Sequence, residues 1–131
     1  MNSVLVAGAS GYAGALAAKL VNEHPSLELA RITARAHAGK RLDELYPNYG
    51  VSLVLEELDD APDGVDAAIV GYPHGAAAPV VASLREQGIK VVDLSADFRL
   101  HDLETYRQWY GEHGAPELLA EAVYGMPELN R

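Results

Sequence analysis

Three glycines set directly behind an apolar run carry the first chemical signal in this chain. In VLVAGASGYAG, Val4 to Ala7 reads as a buried strand, and Gly8, Gly11 and Gly14 follow it. Gly8 ends the strand with a tight turn. From Tyr12 the chain reads as a helix, so Ser10, Gly11 and Tyr12 stand at its N-terminus. The first N–H groups of a helix have no partner inside it, and the helix dipole adds partial positive charge. Together they form a seat for a pyrophosphate. Gly11 has no Cβ and lets the backbone approach phosphate oxygens, while Gly14 lets the helix pack closely on the strand. The spacing is GxxGxxG rather than the commoner GxGxxG. The inference therefore rests on the flanking strand and helix as much as on the glycines, and the competing reading is an ordinary strand-to-helix turn.

The next residues choose between dinucleotides. An NAD-specific site commonly places Asp or Glu at the end of the second strand, about 20 residues past the glycines, on the adenosine ribose. Here that position is Thr33, and no acid occurs between Glu28 and Asp43. Arg35, Lys40 and Arg41 fill the region instead. A 2′-phosphate wants donors and positive charge, and arginine offers it a planar fork. The expected cofactor is NADP(H), with Arg35 on the 2′-phosphate and Thr33 and Lys40 in support. The competing reading is a solvated basic loop.

Elements that can position these groups follow from periodicity and breakers. Ser3–Ala9 is expected as the first strand. Tyr12–Glu23 is expected as a helix with Leu16, Leu20 and Val21 on its apolar face, stopped by Pro25. Leu27–Thr33 reads as the second strand, Ala34–Arg41 as a loop, Arg41–Leu45 as a short helical turn and Val51–Leu55 as a third, edge strand. Leu58–Asp66 is an aspartate-rich solvated turn without calcium-loop spacing. Then come a strand over Asp66–Tyr72, a helix from Gly75 to Gln87 with Gly88 at C′, and a buried strand over Lys90–Leu94. Leu103–Gly111 and Glu117–Ala122 read as helices, and Tyr124–Arg131 as extended. Strands that are apolar throughout and alternate with helices predict an α/β fold. Its sheet is doubly wound, mostly parallel and covered by helices on both faces, in a Rossmann-like architecture. Ligands gather at the carboxyl ends of such strands.

Composition narrows the classes. The 131 residues suit one domain, and 49% hydrophobic with 22% charged residues suits a globular one. A net charge of −9 argues against a nucleic-acid partner. The absence of cysteine excludes disulfides, thiolate metal sites and a cysteine nucleophile within these residues. His24, His37, His74, His101 and His113 form no tight ligand pair, so no metal is expected. No apolar run is long enough to span a bilayer and no basic region precedes Val4, which predicts a cytoplasmic protein.

Several segments taken together resemble the N-acetyl-γ-glutamyl-phosphate reductases of arginine biosynthesis. They are GASGYAG, ARAHAGK, YPHG, VVDLSADFRL, the YRQWYG stretch and AVYGMPELNR; they run in the family's order over nearly all of the chain. SADFR and YGMPELNR are far more specific than the glycine loop. Aspartate-semialdehyde dehydrogenases share the glycine pattern and an SAFR-like segment but not the PELNR-like ending. The resemblance implies reduction of an acyl phosphate to an aldehyde. A cysteine attacks and expels phosphate, hydride from NADPH collapses the thioester, and a histidine serves as general acid/base. The family's cysteine lies in an Asn-Pro-Gly-Cys context just beyond the PELNR-like segment, and its histidine lies further on. This chain ends at Arg131. It is therefore expected to be a single NADP-binding domain, residues 1–131, from a longer two-domain reductase, and inactive alone.

What the resemblance carries over is binding. Gly8, Ser10, Gly11, Tyr12, Ala13 and Gly14 match the pyrophosphate loop, and Thr33, Arg35 and Lys40 the 2′-phosphate region. Pro73, His74 and Gly75 match the nicotinamide-side loop. Ser95 and Arg99 match the segment associated with substrate phosphate and the active-site mouth. Each has a structural alternative: His74 as a helix cap, Arg99 paired with Asp97 or Asp102, and Asp93 and Asp97 as hydrogen-bonding groups rather than an acid/base pair. Tyr106, Trp109 and Tyr110 have near-helical spacing and read as core or domain-interface contacts. Family members are homo-oligomers acting on a small-molecule acyl phosphate, while the isolated residues are expected to be monomeric with an apolar docking face.

Three other readings stay open. An extended short-chain dehydrogenase would need a Tyr-x-x-x-Lys pair, which none of the seven tyrosines has. A lysine-biosynthesis aminoadipyl-phosphate reductase shares much of the pattern. A stand-alone, non-enzymatic NADP-binding module needs no cysteine.

Overall fold

The computed structural model describes residues 1–58 and 63–129. The first strand, β1 (Asn2–Ala7), is buried on both faces, and the layering follows from that. Successive side chains of a strand point to opposite faces. Val4 and Val6 pack with Ala15, Ala18 and Val21 of α1 (Tyr12–Glu23). Leu5 and Ala7 enter a second core on the opposite face, with Ala77, Ala78, Val81 and Leu84 of α3 (Ala77–Glu86). Between these helices the chain forms β2 (Leu27–Thr33), a short helix α2 (Leu42–Leu45) and β3 (Ala67–Val70). After α3 come β4 (Lys90–Asp93) and α4 (Leu103–Tyr110). The four strands are all parallel, in the order β2-β1-β3-β4. The sheet thus grows outward from β1 in both directions, and its order reverses between β1 and β3. Ligand crevices in open α/β sheets open at this kind of reversal.

Local chemistry ties the elements down. The Ser3 N–H donates to Asp66 Oδ2 (2.8 Å), joining the start of β1 to the entry of β3. Gly88, at φ +77°, follows α3 as its C′ residue. Asp102 caps α4 through the Thr105 N–H (3.2 Å).

Several expectations are corrected. Leu16 and Leu20 are 45% and 57% exposed, while Gly14, Ala15, Ala18 and Val21 face the sheet. A helix lying this close to a sheet is seated on its smallest residues, so the large side chains are turned outward. Val51–Leu55 is not a regular strand; this stretch and its neighbour make only isolated bridges, Arg41 with Val54 and Thr33 with Glu56. The strand Lys90–Asp93 is not fully buried. As the sheet's edge it leaves Val92 60% exposed, with Leu94 just beyond it also exposed. Glu117–Ala122 is not an α-helix; a 3₁₀ turn over Pro116–Leu118 stands there. Residues 127–129 turn rather than extend. The aspartate-rich segment falls partly outside the described residues. Among the described residues no helix is long and apolar enough to cross a membrane, and no acidic, histidine or cysteine group is disposed to hold a metal.

Candidate functional site

The glycine loop joins β1 to α1 at the sheet's reversal, where ligand crevices open in such folds. Gly8 sits at φ +84°, in the left-handed region that favours glycine. Its N–H and that of Ala9 both donate to the Thr33 carbonyl (2.9 Å each), pinning the turn to the end of β2. Gly11 is the N-cap residue of α1, with no side chain capping the helix and no acid in its first turn. Tyr12 and Ala13 are exposed and Gly14 is buried. The uncapped N–H groups therefore open into the crevice.

Three backbones meet beneath the loop. A Cβ at Gly8 would stand 2.9 Å from the Gly71 carbonyl carbon, and one at Gly71 would stand 3.3 Å from the Cα of Gly14. Gly71 was not among the expected site residues. Its signal was available, since it ends the apolar run of β3 just as Gly8 ends that of β1. Tyr46 was also missed. Its hydroxyl donates to the Ser10 carbonyl (2.8 Å), its ring meets Tyr12 edge-on and it stacks on Tyr49. Burial pushes the Tyr46 phenol up, which keeps it a donor. No local pattern announces a contact 36 residues away in sequence.

At the end of β2 the four basic residues divide into pairs. Arg31 is hydrogen-bonded to Glu56 (2.6 and 2.9 Å), and Arg41 is paired with Asp43. Arg35 and Lys40 are exposed, and among the described residues neither forms an ion pair. The Arg35 guanidinium lies 5.3 Å from the centre of the Tyr72 ring. Arg35 and Tyr72 line a cavity of about 270 Å³ with Ala34, Glu57, Leu58 and Val80. Thr33 is fully buried, and its Oγ1 finds no hydrogen-bond partner among the described residues; the Tyr72 hydroxyl finds none either. A glycine cradle, an uncapped helix and unpaired cations fit a phosphorylated dinucleotide.

Beyond β3 and β4 the expected residues adopt different roles. Pro73, His74 and Gly75 form an exposed turn, with Gly75 at φ +80°. His74 does not cap α3; its ring lies 5.4 Å from Tyr110. Asp97 does the capping instead. It is fully buried and accepts from the N–H of Gly75 (2.9 and 3.0 Å), the N–H of Ala78 (2.9 Å) and the Tyr106 hydroxyl (2.7 Å). Arg99 consequently has no pairing with Asp97, nor one with Asp102; its guanidinium lies 5.8 Å from the Tyr124 ring centre and is exposed. The Ser95 hydroxyl donates to Asp93 Oδ2 (2.7 Å) and accepts from the Asp97 N–H (3.0 Å). Burial pushes the Asp93 carboxyl up, against the opposing pull of the Ser95 hydrogen bonds. Of the aromatic trio, Tyr106 is core, Tyr110 is half-buried and Trp109 is exposed.

The profile of the family described as "Semialdehyde dehydrogenase, NAD binding domain" matches residues 3–131. The chain is 46% identical over its whole length to an N-acetyl-γ-glutamyl-phosphate reductase of Ectopseudomonas mendocina, covering 40% of that protein. It is 47% identical, again over its whole length, to one of Syntrophobacter fumaroxidans, covering 39%. It thus spans about two fifths of the length of these relatives. A crystal structure of aspartate semialdehyde dehydrogenase with NADP from Candida albicans superposes with a TM-score of 0.65, at 24% identity, over 76% of this chain and 31% of that one. That likeness is one of fold. With the family profile running from residue 3 to residue 131, the chain belongs to the semialdehyde dehydrogenase NAD-binding domain family.

Proposed function

We propose that residues 1–131 are a single domain that binds NADP(H), serving an N-acetyl-γ-glutamyl-phosphate reductase of arginine biosynthesis in the cytoplasm. The observation that carries the cofactor choice is the end of β2, where Arg35 and Lys40 stand without carboxylate partners among the described residues. A ribose-binding carboxylate in that place would select NAD and repel a 2′-phosphate. The extent of the identity to reductases of that name supports the enzymatic half.

In this reading the N–H groups that open α1, at Tyr12 and Ala13, receive the diphosphate, with Ser10 and Gly11 at its rim, while Gly8, held on the Thr33 carbonyl, and Gly14 shape the loop beneath it. Arg35 and Lys40 hold the 2′-phosphate; Thr33, expected to help them, is fully buried and instead pins the glycine turn through its carbonyl. The order of strands then sets the direction of the ligand. Its adenosine end lies over β2 and its nicotinamide end over β3 and β4, beside Pro73, His74 and Gly75. Arg99 faces the acyl phosphate, on a turn held by Ser95. The bound dinucleotide supplies the hydride that reduces the acyl group. This chain's residues orient it and offer charge, but none can form the thioester, because the sequence has no cysteine. A thiolate and a general acid/base would come from the part of the relatives' length that the match leaves out. Homo-oligomer formation would belong to that longer protein.

Calorimetric titration tests the cofactor reading. NADPH is expected to bind at least about tenfold more tightly than NADH, the discrimination one charge-assisted phosphate contact supplies. Equal affinities would remove it.

A further inference from the structure

We propose that Asp97 is a positioning residue for the nicotinamide half of the cofactor, acting through the turn at Pro73–Gly75. This inference rests on the reading of the crevice as an NADP(H) site. Asp97 sits in the segment after β4 but reaches across to the segment after β3. Its carboxylate is fully buried and takes three donors: the N–H groups of Gly75 and Ala78 and the hydroxyl of Tyr106. Two of these belong to the turn and to the first residues of α3. A buried carboxylate is tolerated only when such donors satisfy it, and at a helix N-terminus the dipole adds to them.

The residue's backbone is held as firmly. The Asp97 carbonyl is bonded to His113 Nε2 (2.5 Å), and its N–H donates to Ser95 Oγ. His113 Nδ1 accepts from the Ala115 N–H (2.9 Å), so the ring nitrogen left to donate to Asp97 is Nε2. Asp97 therefore joins four parts of the chain: the turn before α3, the end of β4, α4 and the segment at 113–115. The first of these borders the crevice, beside the end of β4. Gly75, which has no side chain to anchor it, is at φ +80°, and its N–H on the carboxylate fixes where the turn's backbone stands. The turn adjoins the glycine loop through the close approach of Gly71 and Tyr72 to Gly8.

The test separates the two ends of the ligand. Asp97→Asn keeps the volume but turns one acceptor oxygen into an NH2 facing N–H donors. NADPH affinity is expected to fall about tenfold as the turn loses its fixed position. Affinity for 2′,5′-ADP, which lacks the nicotinamide half, is expected to stay within about twofold of wild type. Equal loss for both ligands, or no loss for either, would overturn the proposal. If Asp97→Asn does not fold, Tyr106→Phe decides in the same titrations: a selective loss for NADPH supports positioning, and unchanged or equally lowered affinities overturn it. A wild-type chain that binds neither ligand would sink the underlying NADP(H) reading instead, before any variant is compared.

Discussion

Gly8 and Gly14 are pressed backbone against backbone: a Cβ on Gly14 would stand 2.8 Å from the carbonyl carbon of Gly8. The neighbour is main chain and cannot rotate away. Gly11, between them in sequence, has its nearest such contact at 3.8 Å and a φ of −78°. Gly14→Ala is therefore expected to destabilise the fold by about 1–3 kcal/mol or more, as overpacking does, and to abolish NADPH binding. Gly11→Ala is expected to cost at most about 1 kcal/mol, the scale of an N-cap change, while still weakening NADPH. Thermal melts with and without NADPH check both. Equal melting temperatures for the two variants would contradict the packing argument.

Arg35 makes no ion pair among the described residues, so its removal unmasks no partner. Arg35→Ala is expected to weaken NADPH by roughly tenfold to a hundredfold, the value of a hydrogen bond to a charged group, and to leave NADH unchanged. Loss of its contact with the Tyr72 ring should cost at most about 1 kcal/mol of stability at this exposed position. Arg35→Lys is expected to recover only part of the affinity, because a lysine lacks the planar fork. Competitive titration of the two dinucleotides checks this.

Tyr106 is the buried hydroxyl on Asp97, and its phenol is pushed well above the ordinary tyrosine range, first by burial and then by the bond to Asp97. The folded state therefore holds this proton more tightly than the unfolded state. The stability involved is fully present below the ordinary tyrosine pKa of about 10 and is lost as pH rises beyond it. Ultraviolet titration is expected to show one tyrosine that ionises only on unfolding, and Tyr106→Phe should remove that step. A smooth titration of all seven tyrosines in the folded protein would refute it.

Asp66 gives the opposite sign at the acid end. The Ser3 N–H and hydroxyl hold its carboxyl below the usual carboxylate range. Its contribution is present at neutral pH and disappears as pH falls through the lowered folded value. Asp66→Asn is expected to flatten the acid limb of the stability profile, measured by denaturant midpoints at several pH values. An unchanged limb would show that the contact adds nothing.

Turnover by the 131 residues alone is expected to be nil. The chemistry proposed for the longer protein needs a thiolate, which acts as both nucleophile and leaving group, and the sequence contains none. Absorbance of NADPH in the presence of N-acetyl-γ-glutamyl phosphate checks this, and steady oxidation would overturn the thioester reading.

Much of the crevice was legible because its causes are local. The bounds of α1 and β2 follow from a glycine cap, an apolar period and Pro25, all of which act within a few residues. The expected helix at Gly75–Gln87 began two residues early, because the turn at Pro73–Ala76 bends toward a distant carboxylate. Gly8 and Gly14 were interpretable because only glycine serves where backbones must touch.

What the sequence by itself determined was the run from β1 through the glycines into α1, and the excess of donors over acceptors at the end of β2. Strand periodicity, chain breakers and missing Cβ atoms are properties of neighbours along the chain. Tertiary structure decided which side of α1 would touch the sheet, and it chose alanines over Leu16 and Leu20 because close approach leaves room only for small side chains. It also set Lys90–Asp93 at an edge and broke the 51–55 stretch into bridges. It placed Asp97 beneath Gly75, 22 residues away in sequence, since a buried charge takes whatever donors the packed elements bring to it.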